Sequence, residues 1–215
     1  MIVQPTNTPA IISASILATC KKVTDSTKPI FIPIQPAVGA RVNKCTYNCK
    51  EYIEQNGGEL TLGWKVTEWK NVFIEFIGHA AVKTENGIFC VTPSRYDEEK
   101  ILFLEDPSLS FDFSDENARL PSQSISISKH KEVSALIEIE RKIKEIKCKY
   151  PVASGYMKVY GDDATALTEL EKEKSKLLPI ILTKTTHHND PCFCGSGKKY
   201  RKCCQNRPLR MSLAN

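Results

Sequence analysis

No stretch of this 215-residue chain is apolar for long enough to cross a bilayer. The best candidate, "IISASILATC" at 11–20, falls far short of the ~20 residues that a spanning helix needs. Its last four residues have the small-residue pattern of a lipoprotein cleavage site at Cys20, but no basic residue precedes them. The segment reads instead as a short helix, with Thr8 as N-cap and Pro9 in the first turn. A cytoplasmic chain without a membrane span is the expectation. A disulfide framework is missing too. The nine cysteines, at 20, 45, 49, 90, 148, 192, 194, 203 and 204, are odd in number and scattered apart from one cluster. Adjacent Cys203 and Cys204 suit metal binding in a reducing compartment better than cross-linking. No internal repeat is visible, so an array of identical units is not expected.

What is present is an ordinary globular composition, 41% hydrophobic and 26% charged, in a chain long enough for one substantial core and an appendage. The net charge of +5 is unevenly spread. From Lys184 onward Asp190 is the single acid, against Lys184, Lys198, Lys199, Arg201, Lys202, Arg207 and Arg210. The rest of the chain is close to neutral. A basic tail on a near-neutral body points to an acidic partner for the tail.

Along the chain, "KPIFIPIQPAVGA" (28–40) interleaves prolines with apolar residues and suits an extended segment at a sheet edge. "NKCTYNCKEYIEQNGG" predicts a helix from about Asn43 that stops at Gly57-Gly58. Three strand-like runs follow, "ELTLGWKVTEW", "NVFIEFIGHAAVKT" and "GIFCVTPS", the last two joined by an Asn86-Gly87 hairpin turn. "KILFLED" (100–106) predicts a fourth strand, and 107–129 an irregular connection. Two amphipathic helices come next, one using Val133, Leu136, Ile137, Ile143 and Ile146, the other Leu167, Leu170, Leu177 and Leu178 after Asp162-Asp163. They are expected to pack on the sheet or on each other, with a polar linker over 183–191.

The densest chemistry is in "NDPCFCGSGKKYRKCCQN" (189–206). Its spacing is Cys-x-Cys, eight residues, then Cys-Cys. Zinc favours four tetrahedral ligands and is well served by thiolates. Gly195 and Gly197 leave the backbone free to wrap an ion, and eight residues suffice to return the chain to it. Lys198, Lys199, Arg201 and Lys202 would offset a four-thiolate site while staying available to a partner. His187 and His188 are nearby competitors as ligands.

"PCFCGSGKKYRKCC" resembles the SEC-C zinc motif, named for the C-terminus of the SecA translocase and present on many otherwise unrelated bacterial proteins. The resemblance covers 190–204. It implies zinc held by Cys192, Cys194, Cys203 and Cys204, the last in a position where histidine also occurs. It further implies docking to a protein or a ribosome rather than catalysis, since four protein ligands leave no position for a reactive water.

A second constellation lies in the body. Cys45 is at a predicted helix start, where the dipole favours a thiolate, and His79 is in a strand after Glu75 and Ile77 on the same face. Cysteine on a helix and histidine on a following strand is the order of papain-like and transglutaminase-like cores. A nucleophilic mechanism would use Cys45 as attacking thiolate, His79 as base and a third group to orient the imidazole. Residues 45–92 also resemble a body found with SEC-C tails in bacterial proteins of uncertain role. That pattern implies an acid just before "TP" (Thr92-Pro93), and Cys90 stands there instead, leaving Glu75 or Asn86 to orient the histidine. Two other readings stay open. Cys45 and His79 are ordinary packed residues, or Cys45, Cys49, His79 and Cys90 form a second metal site. Trp64 and Trp69 are core residues by the same reasoning, with a groove as the alternative.

The expected architecture is α+β: a body over 1–125 with an antiparallel sheet of three to four strands, a helical segment over 126–182, and a zinc tail over 183–215. The expected function is a zinc-dependent interaction protein. A cysteine-dependent hydrolase or acyl transferase is the alternative, and non-specific nucleic-acid binding through Lys198, Lys199, Arg201, Lys202, Arg207 and Arg210 a third reading.

Overall fold

A computed structural model of the chain describes residues 6–25, 28–115, 117–151, 157–194 and 196–206. Gly195, Arg207 and Arg210, singled out above, lie outside them. The chain divides into two compact units, one of Thr6–Trp69 with Ile74–Ile125, the other of Lys70–Phe73 with Ser126 onward.

The first unit is a sheet with two helices, α1 (Ala14–Cys20) and α2 (Cys45–Asn56). Its strands are β1 (Ile30–Pro33), β2 (Glu59–Trp69), β3 (Phe73–Thr84), β4 (Gly87–Phe89), β5 (Lys100–Glu105) and β6 (Ser122–Ser126). The order is β1-β5-β2-β3-β4, with β6 pairing β3. The α+β class is as expected, and a β3–β4 hairpin forms, but its turn is Glu85-Asn86 rather than Asn86-Gly87, with Gly87 already paired in the register Thr84↔Gly87 and Val82↔Phe89. The strand count is larger than the sequence suggested. β6 lies in a stretch read as irregular, because "SQSIS" has little apolar content and earns its strand by pairing rather than propensity. Gly78 admits it: a Cβ there would stand 2.4 Å from Leu120 Cβ and 2.6 Å from the Pro121 oxygen.

β1 begins the strand order, as the prolines predict, yet the segment after it is not a free edge. Cys90 N–H donates to the Pro33 carbonyl at 2.9 Å, Gln35 N–H to Cys90 at 2.7 Å and Ala37 N–H to Val91 at 3.0 Å. These bonds join the stretch after β1 to the stretch after β4 in parallel, so the two ends of the sheet meet and close it. Alternation then sorts the side chains. Ala80 and Val82 of β3 pack with Cys49 of α2 and Val91, while Ala81 packs with Ile32, Cys90, Ile101 and Phe103.

The N-terminal helix starts later than expected. Ser13, not Thr8, caps it, its hydroxyl accepting from Ile16 N–H at 3.3 Å. Thr8 is occupied elsewhere, donating to Glu98 Oε1 at 2.6 Å. Glu98 also accepts from Lys65 Nζ at 2.6 Å and Ser94 Oγ at 2.8 Å. Burial alone would raise this carboxyl; the three donors overcome that and hold it below its ordinary range.

In the second unit α3 (Lys131–Cys148) and α4 (Asp162–Thr185) run antiparallel. The ion pairs Lys149–Asp163, Lys174–Glu140 and Lys184–Glu132 set that direction. Such solvent-reached pairs, each with at least one partly exposed partner, fix register more than stability. The cohesion comes from Val133, Leu136, Ile139, Ile143 and Ile146. Ile139 takes the buried position that the sequence assigned to Ile137, and the four predicted leucines of α4 are only half-buried. α4 also continues through Pro179 into what read as linker, where buried Ile181 and Thr185 hold its last turn. The β2–β3 turn joins this unit: Asn71 Nδ2 donates to the Thr185 carbonyl at 3.4 Å, and Lys70 pairs with Asp190 at 3.4 Å.

Two buried polar side chains lock the first unit. Trp64 Nε1 donates to Asp106 Oδ2 at 2.8 Å. Asn48 accepts from Arg41 N–H at 3.0 Å and donates to the Arg41 carbonyl at 2.7 Å and Thr92 Oγ1 at 3.0 Å. Replacing Asn48 by Ala leaves the Arg41 peptide groups without their partner and is expected to cost ~1–3 kcal/mol. Urea denaturation of Asn48→Ala should show a lower midpoint at an unchanged slope.

Candidate metal centre

The cysteine cluster is built by a short ladder. Cys192 N–H donates to the Lys198 carbonyl at 2.8 Å and Tyr200 N–H to Asp190 at 2.9 Å, around an antiparallel bridge between Pro191 and Lys199. Gly197, at φ +71°, lies in the turn that makes this reversal. A 3-10 turn, Tyr200–Lys202, then carries the chain back, and Cys203 and Cys204 arrive beside the first pair. Phe193 and the buried Tyr200 lie ring to ring at 5.5 Å and form the knuckle's own small core.

All four sulfur atoms, of Cys192, Cys194, Cys203 and Cys204, lie within 4.8 Å of one another. Cys194 and Cys203 are 3.5 Å apart and Cys203 and Cys204 4.0 Å. A tetrahedron with zinc–sulfur bonds of ~2.3 Å has edges of ~3.8 Å, so the donors fit a four-thiolate metal. His187 and His188 are not in this group, and His188 Nδ1 lies 2.7 Å from Gln205 Oε1. The hydroxyl and N–H of Ser196, with the Cys192 and Cys203 thiols, draw the Cys194 thiol down to about 6, whereas burial and the neighbouring sulfurs push Cys204 up to about 12. A metal must therefore displace protons to bind. Lys198, Lys199, Arg201 and Lys202 are all exposed around the cluster.

The body residues are arranged differently. Cys45 opens α2 and packs with Cys49, Ala80, Val82 and Val91; the N–H groups of Ala80, Thr46 and Cys45 itself bond to its sulfur. His79 projects from the opposite face of β3. Its Nε2 is 3.1 Å from the Cys90 sulfur and its ring lies edge-on to Phe103 at 6.5 Å. Cys90 in turn donates to the Thr92 carbonyl at 3.5 Å. The residue standing where the sequence pattern implies an acid is thus the one that reaches the imidazole. Glu75 accepts instead from Thr67 at 3.4 Å, and Asn86 belongs to the β3–β4 turn. Among the described residues no hydrogen bond joins Cys45 to His79. Cys45, Cys49, His79 and Cys90 do not form a metal-ligand group there either, since strand alternation sends the histidine away from α2. Trp64 and Trp69 are buried.

The electrostatics match this separation. Burial, helped by the Lys65 charge, lowers His79 to about 4, so it is neutral at pH 7. Burial raises Cys45 despite the backbone donors, and raises Cys90 to about 11. Sequence reading missed Asn48, Thr92, Lys65 and Glu98, whose partners lie far along the chain. Alkylation of the metal-loaded protein by iodoacetamide between pH 5 and 9, read by peptide mass spectrometry, should label Cys45 slowly. Its rate should show no inflection below the free-thiol value of ~8.5 and no response to His79→Ala.

Comparison with known proteins places the knuckle. The SEC-C motif model matches residues 189–206. Protein translocase subunit SecA of Sulfurovum sp. (strain NBC37-1) is 50% identical over 46 residues, 21% of this chain and 5% of that protein. The SecA of Chlorobium phaeobacteroides (strain BS1) is 65% identical over 26 residues, 12% and 2% respectively. That of Halothermothrix orenii is 35% identical over 72 residues, 34% and 8%. The chain thus spans only a small fraction of the curated relatives it matches. No solved structure matches it. Residues 189–206 carry a SEC-C motif, and its four cysteines form the cluster that could bind a metal.

Proposed function

We propose that this chain is a zinc-binding interaction protein, whose C-terminal knuckle docks its basic surface on an acidic face of a protein or ribosomal partner. The observation that carries the reading is the convergence of four thiols within 4.8 Å, with four exposed cations on the loop between them. An all-sulfur tetrahedral set is the donor chemistry of zinc. Such a site is closed by protein, so it shapes a surface and leaves no open position for catalysis. The body over 1–125 and the helices over 126–182 serve as the scaffold that presents the tail over 183–215, in the cytoplasm where thiols stay reduced. Among the described residues no helix is long and apolar enough to cross a membrane. The thiol chemistry of Cys45 and His79 is not part of this reading, because the two side chains leave β3 and α2 without meeting.

The first test is metal content. Protein prepared under reducing conditions should hold one zinc per chain by atomic emission. Cys192→Ser and Cys203→Ser should lose it, and affinity should weaken as pH falls from 8 to 5, because protons compete for thiolates. Protein that stays metal-free at neutral pH with zinc supplied would sink the reading.

The second is docking. Ribosome co-sedimentation should be lost on chelation and in a variant carrying Lys198→Glu, Lys199→Glu, Arg201→Glu and Lys202→Glu. Equal binding to ribosomes and to bare RNA, with a steep fall in salt, would assign the basic surface to nucleic acid instead. Chelation should remove the knuckle's ordered signals and leave the unfolding midpoint of the remainder in place, since all four ligands are local and the Lys70–Asp190 pair is long, at 3.4 Å, with an exposed lysine.

A further inference from the structure

The four sulfurs are not equivalent, and the differences suggest a chemistry for the site beyond holding a metal. Cys192 is buried beneath the ladder, Cys203 and Cys204 are half-buried, and Cys194 is exposed. The exposed sulfur is also the one 3.5 Å from Cys203. We propose that the knuckle is a peroxide-sensitive site in which oxidation joins Cys194 to Cys203 and expels the zinc. The inference rests on the zinc reading above.

The step balances with a hydroperoxide as the oxidant. The Cys194 thiolate attacks one peroxide oxygen, the O–O bond breaks, and Cys194 becomes a sulfenic acid while the departing hydroxide takes a proton to form water. The Cys203 thiolate then attacks the sulfenic sulfur, the S–S bond forms, and a second hydroxide leaves and is protonated. Two thiolates and two protons thus reduce one hydrogen peroxide to two waters. A zinc held by Cys192, Cys194, Cys203 and Cys204 would keep its oxidation state, and the new disulfide would leave only Cys192 and Cys204 to hold it.

Geometry favours the pair: Cys194 and Cys203 are closer at sulfur, 3.5 Å, than Cys203 and Cys204. Cys203 and Cys204 are 4.0 Å apart at sulfur, but neighbouring Cα atoms are fixed at ~3.8 Å, below the ~4.4–6.8 Å that disulfides span. Cys194 and Cys203 are separated by a loop containing the Gly197 turn, so the sulfurs can close the remaining gap without straining adjacent peptides. Elsewhere Cys20, Cys49 and Cys90 are buried, Cys45 is half-buried in the core cluster of α2 and β3, and Cys148 is exposed on α3, outside the cluster. The knuckle is therefore the place where one oxidant equivalent finds an exposed sulfur with a partner in reach. The closed ring would hold Lys198, Lys199, Arg201 and Lys202 inside it, so oxidation would reshape the surface offered to a partner.

The test uses full-length, zinc-loaded protein and hydrogen peroxide, with a chromogenic chelator reporting free zinc. One zinc should appear per peroxide consumed, and dithiothreitol with added zinc should restore the loaded form. Trypsin cuts after Lys198, Lys199, Arg201 and Lys202, so Cys194 and Cys203 leave on separate peptides unless bonded. Mass spectrometry with fragmentation should find them linked to each other. Cys203→His keeps four ligands of a known zinc set but removes the bonding partner, and should release zinc roughly tenfold more slowly. Zinc retained under stoichiometric peroxide, a disulfide between Cys203 and Cys204, or an unchanged rate in Cys203→His would overturn the inference and leave the zinc reading intact. A protein that never loads zinc would overturn both.

Discussion

A β-strand hands alternate side chains to opposite faces, and along β3 that rule decides what each neighbour can reach. Ala80 and Val82 turn toward α2 and meet Cys49; Ala81 turns the other way, toward Cys90 and Phe103, and His79 with it. Small residues at 80 and 81 let layers approach from both sides. Because the two faces of one strand cannot exchange partners without a register slip, a cysteine on α2 and the histidine at 79 are held apart by the same packing that assembles the core. The seam between Ile34 and Cys90 depends on that register as well, since it places Cys90 opposite β1 and beside the imidazole.

Polar groups inside the first unit follow from this arrangement rather than compete with it. Asn48, Trp64, Asp106, Lys65 and Glu98 are each given hydrogen-bonding or ionic partners as the layers close. Satisfied groups of this kind rigidify a core, while burial itself pushes its thiols and its histidine toward their uncharged forms. The knuckle is built on the opposite principle. Its four sulfurs have chiefly one another for company, and several ionised sulfurs within 4.8 Å repel unless a cation sits between them. One unit buries its reactive groups among partners; the other gathers four sulfurs where a metal could complete the set.

The knuckle was legible because everything it needs lies within thirteen residues, from Cys192 to Cys204. Two cysteine pairs, a glycine turn and a return of eight residues specify a local loop, and local geometry does not wait on the rest of the fold. The hairpin between β3 and β4 (to within one residue), the end of α2 at Gly57 and the α+β class were readable for the same reason, since turn chemistry and period-2 alternation are properties of neighbours. The strand β6, the continuation of α4 past Pro179 and the displacement of Thr8 from its helix cap were not readable. Each is decided by a partner far along the chain: β3 for β6, the buried setting of Ile181 and Thr185 for α4, and Glu98 for Thr8.

By itself, then, the sequence determined that four thiols would gather near the C-terminus under a cluster of lysines and arginine, because that outcome needs only short-range chain geometry. It also placed Cys45 at a helix start and His79 in a strand. Only the tertiary structure decided that His79 meets Cys90 and not Cys45. The side of a strand that packs on a helix is chosen by burial of apolar area across the whole layer, and no spacing between two residues records that choice.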